Sequence, residues 1–231
     1  MLFRSNVYIM MNGHLTKFLD VATLLENNPN VRMVHTSQTH KLWEWPGLDF
    51  LKRYCDQLPE GKEEYVMYFH TKGLSKLNQG NIRDWRHYME YWNIDRWRDC
   101  VALLDDNHDC VGTNWISKPF IGIDGRTVRN WKHYSGNFWW ARASYIRKLE
   151  SLTHPDSLNW NNPSKLLVKR NGQGVILDKG NFRFEHEAWI GSAQPVWVEL
   201  HAGPGKRDTG WHYKNNYARE EYATETSTTA D

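Results

Sequence analysis

"YVMYFHTKGLSK", residues 65–76, holds the change of chemistry on which the fold reading turns. Tyr65, Val66, Met67, Tyr68 and Phe69 have the aromatic and β-branched character of a buried strand. The chain then turns abruptly polar at His70, Thr71, Lys72 and Gly73. What flanks this strand decides what kind of sheet it belongs to.

Upstream, Val7–Met11 and Val31–His35 read as strands. Between them Leu15, Phe18, Leu19, Ala22 and Leu25 follow helical spacing, and "NNPN" at 27–30 ends it. Pro46 and Gly47 open a further helix carrying Leu48, Leu51, Cys55 and Leu58. Downstream, residues 74–83 form a polar loop. The longest helix is expected over 83–105, with Trp85, Tyr88, Met89, Trp92, Trp97, Val101 and Leu104 as its apolar stripe. Cys110–Asn114 reads as a strand, 116–130 as a loop, and 133–149 as loop, strand and short helix. Residues 151–181 are an insertion with a hairpin around "NGQG". A helix containing "EHEAWIGS" and a strand at Val196–Leu200 follow. The polar residues 216–231 are expected to be a disordered tail.

Strands alternating with helices predict an α/β fold, a sheet with helices on both faces. In such sheets ligands sit at the carboxyl ends of the strands. That rule gathers the His70–Gly73 turn, Asn114–Trp115 and the 133–137 loop on one rim. It sends Asp105, Asp106 and Asp109 to the opposite edge, as solvated acids and not a metal motif.

Composition narrows the function. With 231 residues and a net charge of +2, the chain fits one domain without a strong field. Single-stranded nucleic-acid binding, which needs a basic groove, loses support, and no nucleic-acid partner is expected. No apolar run reaches membrane-spanning length, and "MLFRSNVYIMMNG" is too short and mixed for a signal peptide. Three cysteines, Cys55, Cys100 and Cys110, lack CxxC spacing and read as reduced, mostly buried thiols of a cytoplasmic protein. The 13 tryptophans, beside 11 tyrosines and 11 histidines, exceed what a core alone needs and suit a surface that stacks on sugar rings or bases.

Each polar motif has two readings. Lys72, with Thr71 and backbone N–H groups, suits a diphosphate; the turn equally suits an ordinary strand end with a solvated lysine. Arg86 and Glu90 lie at i,i+4 and pair on the helix surface, unless Arg86 meets the rim and contacts an anion. "HYSGNFWW" at 133–140 offers His133, Ser135 and Asn137 beside flat rings, which suits a sugar; it also suits a loop entering a tryptophan-rich core strand. Glu185 and Glu187 point in different directions on a helix, so one of them can serve as a general base; both also suit a solvated helix start.

Taken in order, "YFHTKG" (68–73), "WRHYMEYW" (85–92), "DCVGTNW" (109–115), "HYSGNFWWARASYIRKL" (133–149) and "RFEHEAWI" (183–190) resemble a family of small GT-A-type glycosyltransferases of large DNA viruses and bacteria. The chlorella-virus capsid-glycan transferase belongs to that family. The resemblance covers roughly residues 7–213. It implies a single GT-A-like, Rossmann-like domain over 1–215, with a mixed, mostly parallel sheet flanked by helices. It implies transfer of a sugar from a nucleoside-diphosphate sugar to a glycan or protein-linked acceptor, in the host cytoplasm for a viral protein. Glu187 matches the place of the catalytic base in inverting members. His70, Thr71, Lys72, Gly73, Arg86 and His201 are expected at the donor diphosphate. Trp115, His133, Tyr134, Ser135, Gly136, Asn137 and Trp189 are expected to line the sugar and acceptor pocket. His70–Gly73 stands where many such enzymes carry an Asp-x-Asp motif, which leaves a need for Mn²⁺ or Mg²⁺ open. Val7–Met11 matches the family's second strand, so the chain is expected either to lack the first strand–helix unit or to bind the nucleotide by another route. The rival expectation is a catalytically inactive, tryptophan-rich carbohydrate-binding module.

Overall fold

A computed structural model describes residues 6–12, 25–37, 42–71, 80–117, 120–121, 127–129, 132–155, 166–170, 173–177, 183–201 and 217–223. The helix expected over residues 15–25 lies outside them apart from its end at Leu25, which is helical, and Lys72, Gly73, the 202–216 stretch and most of the tail lie outside them too.

The elements are β1 (Val7–Asn12), β2 (Val31–Ser37), α1 (Trp45–Gln57), β3 (Tyr65–Tyr68), α2 (Gly80–Glu90), α3 (Trp97–Asp105), β4 (Cys110–Thr113), β5 (Trp115–Ile116), β6 (Phe120–Ile121), β7 (Thr127–Arg129), β8 (His133–Tyr134), β9 (Trp139–Arg142), α4 (Ala143–Lys148), β10 (Leu166–Arg170), β11 (Gln173–Leu177), α5 (Arg183–Ala188), β12 (Trp197–His201) and α6 (Arg219–Tyr222). The chain is mixed α/β. The principal sheet has four strands in the order β12-β4-β9-β3, and β1 and β2 pair in parallel as a separate ribbon.

Side chains alternate across the four-stranded sheet, as the two-residue period of a strand requires. Val66, Tyr68, Cys110, Trp139 and Ala141 face a core closed by Leu48 and Cys55 of α1, Tyr145 and Ile146 of α4, and Trp189. Tyr65, Val111 and Trp140 face Cys100 and Leu104 of α3. Helices therefore cover both faces. Among the described residues no helix is long and apolar enough to cross a membrane.

Two expectations are corrected. First, pairing is not mostly parallel among the described strands: β9 lies antiparallel to both β3 and β4, and only β4–β12 is parallel in this sheet. The cause is the excursion after β4. The chain leaves through β5, returns through β8 paired antiparallel to it, and re-enters the sheet beside β4 as the return limb of a long hairpin. Because β3 and β4 both oppose β9, and β12 follows β4, these three still point the same way. Second, the long helix is broken. A π-turn, Tyr91–Asp95, separates α2 from α3. There Trp140 Nε1 donates to the Asn93 carbonyl at 2.7 Å and Asn93 Nδ2 donates to the Met89 carbonyl at 2.9 Å. Side chains thus occupy carbonyls that a straight helix would bond internally.

The hairpin is where the pattern put it. Arg170 pairs with Gln173, leaving Asn171-Gly172 between the strands.

Candidate functional site at the carboxyl rim

The common direction of β3, β4 and β12 brings their carboxyl ends to one rim. His70 follows β3, Asn114 follows β4, His201 closes β12, and the Ser135–Asn137 turn feeds β9. The segments are bonded together. Ser135 N donates to the Asn114 carbonyl at 2.9 Å, His70 Nε2 donates to the Gly136 carbonyl at 3.0 Å, and Trp115 N donates to Glu199 Oε1 at 2.7 Å. The opposite edge is occupied by acids with structural partners: Tyr65 Oη donates to Asp105, and Val196 N donates to Asp109 Oδ2 at 2.8 Å.

The rim turn has an unusual backbone. Asn114, Gly136 and Asn137 have φ of 58°, 95° and 60°, a region that asparagine tolerates and glycine enters freely. At Gly136 there is also no room for a side chain. A Cβ would stand 3.0 Å from Trp85 Cζ2 and overlap the Met89 sulfur.

At the centre is a residue that the sequence motifs did not flag, Glu44. It occupies the N-cap position of α1 but its side chain makes no capping bond. Its Oε2 instead accepts from Asn137 Nδ2 at 2.5 Å and from Tyr68 Oη at 3.2 Å, and its Oε1 lies 3.2 Å from His70 Nδ1. The Asn137 amide has one possible orientation. Trp139 Nε1 can only donate, and it meets Asn137 Oδ1 at 2.6 Å, so Nδ2 must face Glu44. His70 is equally constrained. A carbonyl can only accept, so Nε2 carries a proton toward Gly136. The second ring nitrogen, Nδ1, faces Glu44 Oε1 across 3.2 Å. Burial first, then the Glu44 carboxylate, pushes the Tyr68 phenol well above its ordinary value and keeps it a donor. The only hint of Glu44 in the sequence is a carboxylate set between tryptophans, "WEWP".

His201 is fixed just as closely. The single Tyr88 hydroxyl proton goes to the His201 carbonyl at 2.8 Å, so the His201 Nδ1–H donates back to Tyr88 Oη at 2.9 Å. The imidazole stacks on Trp92, centroids 5.1 Å apart and 13° from parallel.

The remaining expected residues divide. Thr71 is exposed at the rim, while Lys72 and Gly73 are not among the described residues. Arg86 lies with Nε 3.3 Å from Glu90 Oε1, the helix-surface ion pair that the spacing allows. Glu185 is buried and Glu187 half-buried on α5. The preceding residue, His186, offers its carbonyl to Asn137 Nδ2 at 3.5 Å, which sets α5 against the Glu44 cluster. His133 and Ser135 are buried beside Asn137 in the turn. Tyr134, Trp189 and Trp115 lie inside the protein. Tyr134 is fully buried and donates to the Val198 carbonyl at 2.8 Å. Trp189 is fully buried and donates to the Glu150 carbonyl at 2.8 Å. Trp115 is buried between Tyr134 and Trp197, stacked on the latter at 4.7 Å. Their rings are already covered by protein. Both ring nitrogens of His70 face groups of the chain, Glu44 Oε1 and the Gly136 carbonyl.

All three cysteines are free and buried, as their spacing predicts. Burial pushes the Cys55 and Cys100 thiols up to about 12, so neither is a nucleophile near neutrality. Among the described residues no three His, Cys, Asp or Glu side chains gather as a cation-ligand set. The described rim residues thus do not by themselves build a metal site.

These features define a mixed α/β domain with a bonded polar cluster at the carboxyl ends of its sheet. By its sequence the chain belongs to a family described as a domain of unknown function, DUF8361, whose model matches residues 2–198. No curated protein and no solved structure matches it.

Proposed function

We propose that the protein is a GT-A-like glycosyltransferase that moves a sugar from a nucleoside-diphosphate sugar to a glycan or protein-linked acceptor. The observation that supports this best is the convergence of the β3, β4 and β12 carboxyl ends with the 135–137 turn on one rim. That is where open α/β sheets take their ligands. Three of the five sequence motifs that resemble the transferase family supply His70, Asn114 and the Ser135–Asn137 turn to this rim.

In this reading the acceptor hydroxyl attacks the anomeric carbon. Its proton passes to the Glu187 carboxylate. The bond between the anomeric carbon and the diphosphate oxygen breaks, and the diphosphate leaves with the electron pair. Attack from the face opposite the leaving group inverts the anomeric centre. Lys72 and His201 stabilise the departing charge.

A tryptophan-surface binding module has less support. Among the described tryptophans, Trp85, Trp115, Trp139 and Trp189 are buried in the protein and are not available to a surface ligand.

A thermal-shift screen of UDP-, GDP- and dTDP-sugars, with and without Mn²⁺, tests the proposal. A donor held near 100 times its Kd raises stability by about 2.7 kcal/mol. The stabilising donor should then release its nucleoside diphosphate on turnover. If no donor stabilises the fold and none is turned over, the transferase assignment fails.

A further inference from the structure

Tyr88 does more than fill the apolar stripe of α2. It is fully buried, and its hydroxyl meets His201 twice: it donates to the His201 carbonyl at 2.8 Å and accepts from His201 Nδ1 at 2.9 Å. A hydroxyl has one proton to give, so the two bonds together fix the orientation and the tautomer of the imidazole. The Trp92 indole stacks on the same ring. A hydrogen bond of this kind decides which nitrogen of a functional histidine carries the proton.

What holds Tyr88 comes from the far end of the chain. The Tyr217 ring centroid lies 4.7 Å from that of Tyr88, and the Tyr222 ring of α6 meets it edge-on at 5.1 Å. Tyr222 also meets Tyr91 of the π-turn at 5.4 Å, and the Arg219 guanidinium lies 5.7 Å from the Tyr91 ring centroid. Tyr217 and Tyr222 belong to the 216–231 stretch whose composition predicts a disordered tail, yet both rings are buried. They form one apolar cluster with Trp85, Tyr88, Met89 and Phe138. Trp85 and Met89 of that cluster stand against Gly136 in the rim turn. The segment thus packs on the residue that holds His201 and on the side chains that border the 135–137 turn.

We infer that Tyr88 is a positioning residue for His201, and that Tyr217 and Tyr222 complete the site by holding Tyr88 in place. The 217–222 segment thereby sets the tautomer of a rim histidine. The step to the donor diphosphate rests on the transferase reading, in which His201 stabilises the departing charge; the hold on the imidazole does not.

Long-range proton–nitrogen correlation spectra of the whole 231-residue chain read the tautomer directly. The His201 signal is assigned by its loss in His201→Gln, and spectra are taken at about pH 8, above the ordinary histidine value. The expected wild-type signature is a protonated Nδ1. Tyr88→Phe keeps the ring, loses the hydroxyl and should abolish that signature. Tyr222→Ala should shift it toward a mixture of tautomers, while Tyr222→Phe should retain it. Tyr88→Phe remains informative if Tyr222→Ala folds poorly. Titration with UDP and GDP adds a second readout. His201→Gln, Tyr88→Phe and Tyr222→Ala should each lower affinity by about three- to tenfold. Added to His201→Gln, Tyr88→Phe should cost less than about a further twofold, because it acts through that ring. A wild-type His201 protonated at Nε2 alone overturns the inference, as does a Tyr88→Phe spectrum unchanged from wild type. An unchanged Tyr222→Ala spectrum removes the C-terminal segment from the site. Additive losses for Tyr88 and His201 reduce Tyr88 to packing, and UDP and GDP binding indifferent to all three substitutions removes the donor role. A Tyr88-dependent Nδ1 signature in a protein that binds neither UDP nor GDP sinks the transferase reading and leaves the positioning of His201 standing.

Discussion

Glu44 and His70, 26 residues apart in the chain, meet at 3.2 Å at the carboxyl end of β3. The contact ties the start of α1 to the edge of the sheet, and through the Gly136 carbonyl to the turn before β9. The two side chains should therefore be energetically coupled. Glu44→Gln and His70→Gln are each expected to lower stability by about 1–3 kcal/mol, the cost of leaving a partner unpaired. The double variant should cost less than the sum, with a coupling of about 0.5–3 kcal/mol. Urea unfolding of the four proteins measures this. Strict additivity would mean that the contact contributes nothing.

Gly136 carries both a positive φ and a steric limit. Alanine there must accept φ of 95° and displace Met89 and Trp85 on α2. Overpacking alone costs about 1–3 kcal/mol. Gly136→Ala should lower the urea midpoint without changing the slope, and Met89→Ala in the same chain should restore part of the loss. An unchanged midpoint for Gly136→Ala would show that the turn relaxes freely.

The same residues show what could be read before the fold was known. The strands β1 to β4 and β12 stand out because short apolar runs are bounded by turn residues, and their observed limits fall within about two residues of the expected ones, the usual scatter at strand ends. The 166–177 hairpin was legible from its turn residues "NGQG", though Gln173 and Gly174 belong to its second strand. The reversal of β9 was not, because strand direction depends on where the chain re-enters and leaves no local pattern. Nor was the π-turn, whose cause is an indole 47 residues away, Trp140 on Asn93. Glu44 escaped for the same reason. An acidic residue before a proline-opened helix looks like a cap, and only the tertiary fold turns it away from α1 and toward His70. Tyr134 and Trp189 were legible as important but not as buried, since an aromatic ring suits a core and a ligand equally well.

Glu63 gives the fold a defined acid sensitivity. Its carboxylate accepts Ser144 N at 3.0 Å at the start of α4, and Arg142 Nε at 3.2 Å. Burial alone would raise the Glu63 carboxyl, but the Ser144 and Arg142 hydrogen bonds outweigh it and hold the group below its ordinary value. A depressed carboxyl stabilises the fold fully above the unfolded value, about 4.3 for glutamate, and loses that contribution as pH falls through the folded value. The stability gap between wild type and Glu63→Gln should be widest near neutral pH and should close on acidification below about pH 4. A gap that stays constant from pH 7 to pH 3 would show that Glu63 contributes no protonation-linked stability.

Glu187 is the group on which the proposed chemistry depends most. It lies half-buried on α5, one residue after the His186 carbonyl that meets Asn137. A base takes part in the transition state more than in donor binding. Glu187→Gln should therefore lower kcat by about 100- to 10,000-fold and leave donor affinity within about twofold. Glu185→Gln is the control. Glu185 is buried beside His186, so its loss should show in unfolding before it shows in turnover. Rate constants from transfer to a bound acceptor, set against donor affinity by titration, separate the two carboxylates. A fully active Glu187→Gln would remove Glu187 from the base role. A Glu185→Gln protein that is stable but inactive would move that role to the buried carboxylate, and the acceptor hydroxyl would then have to approach from the interior side of α5.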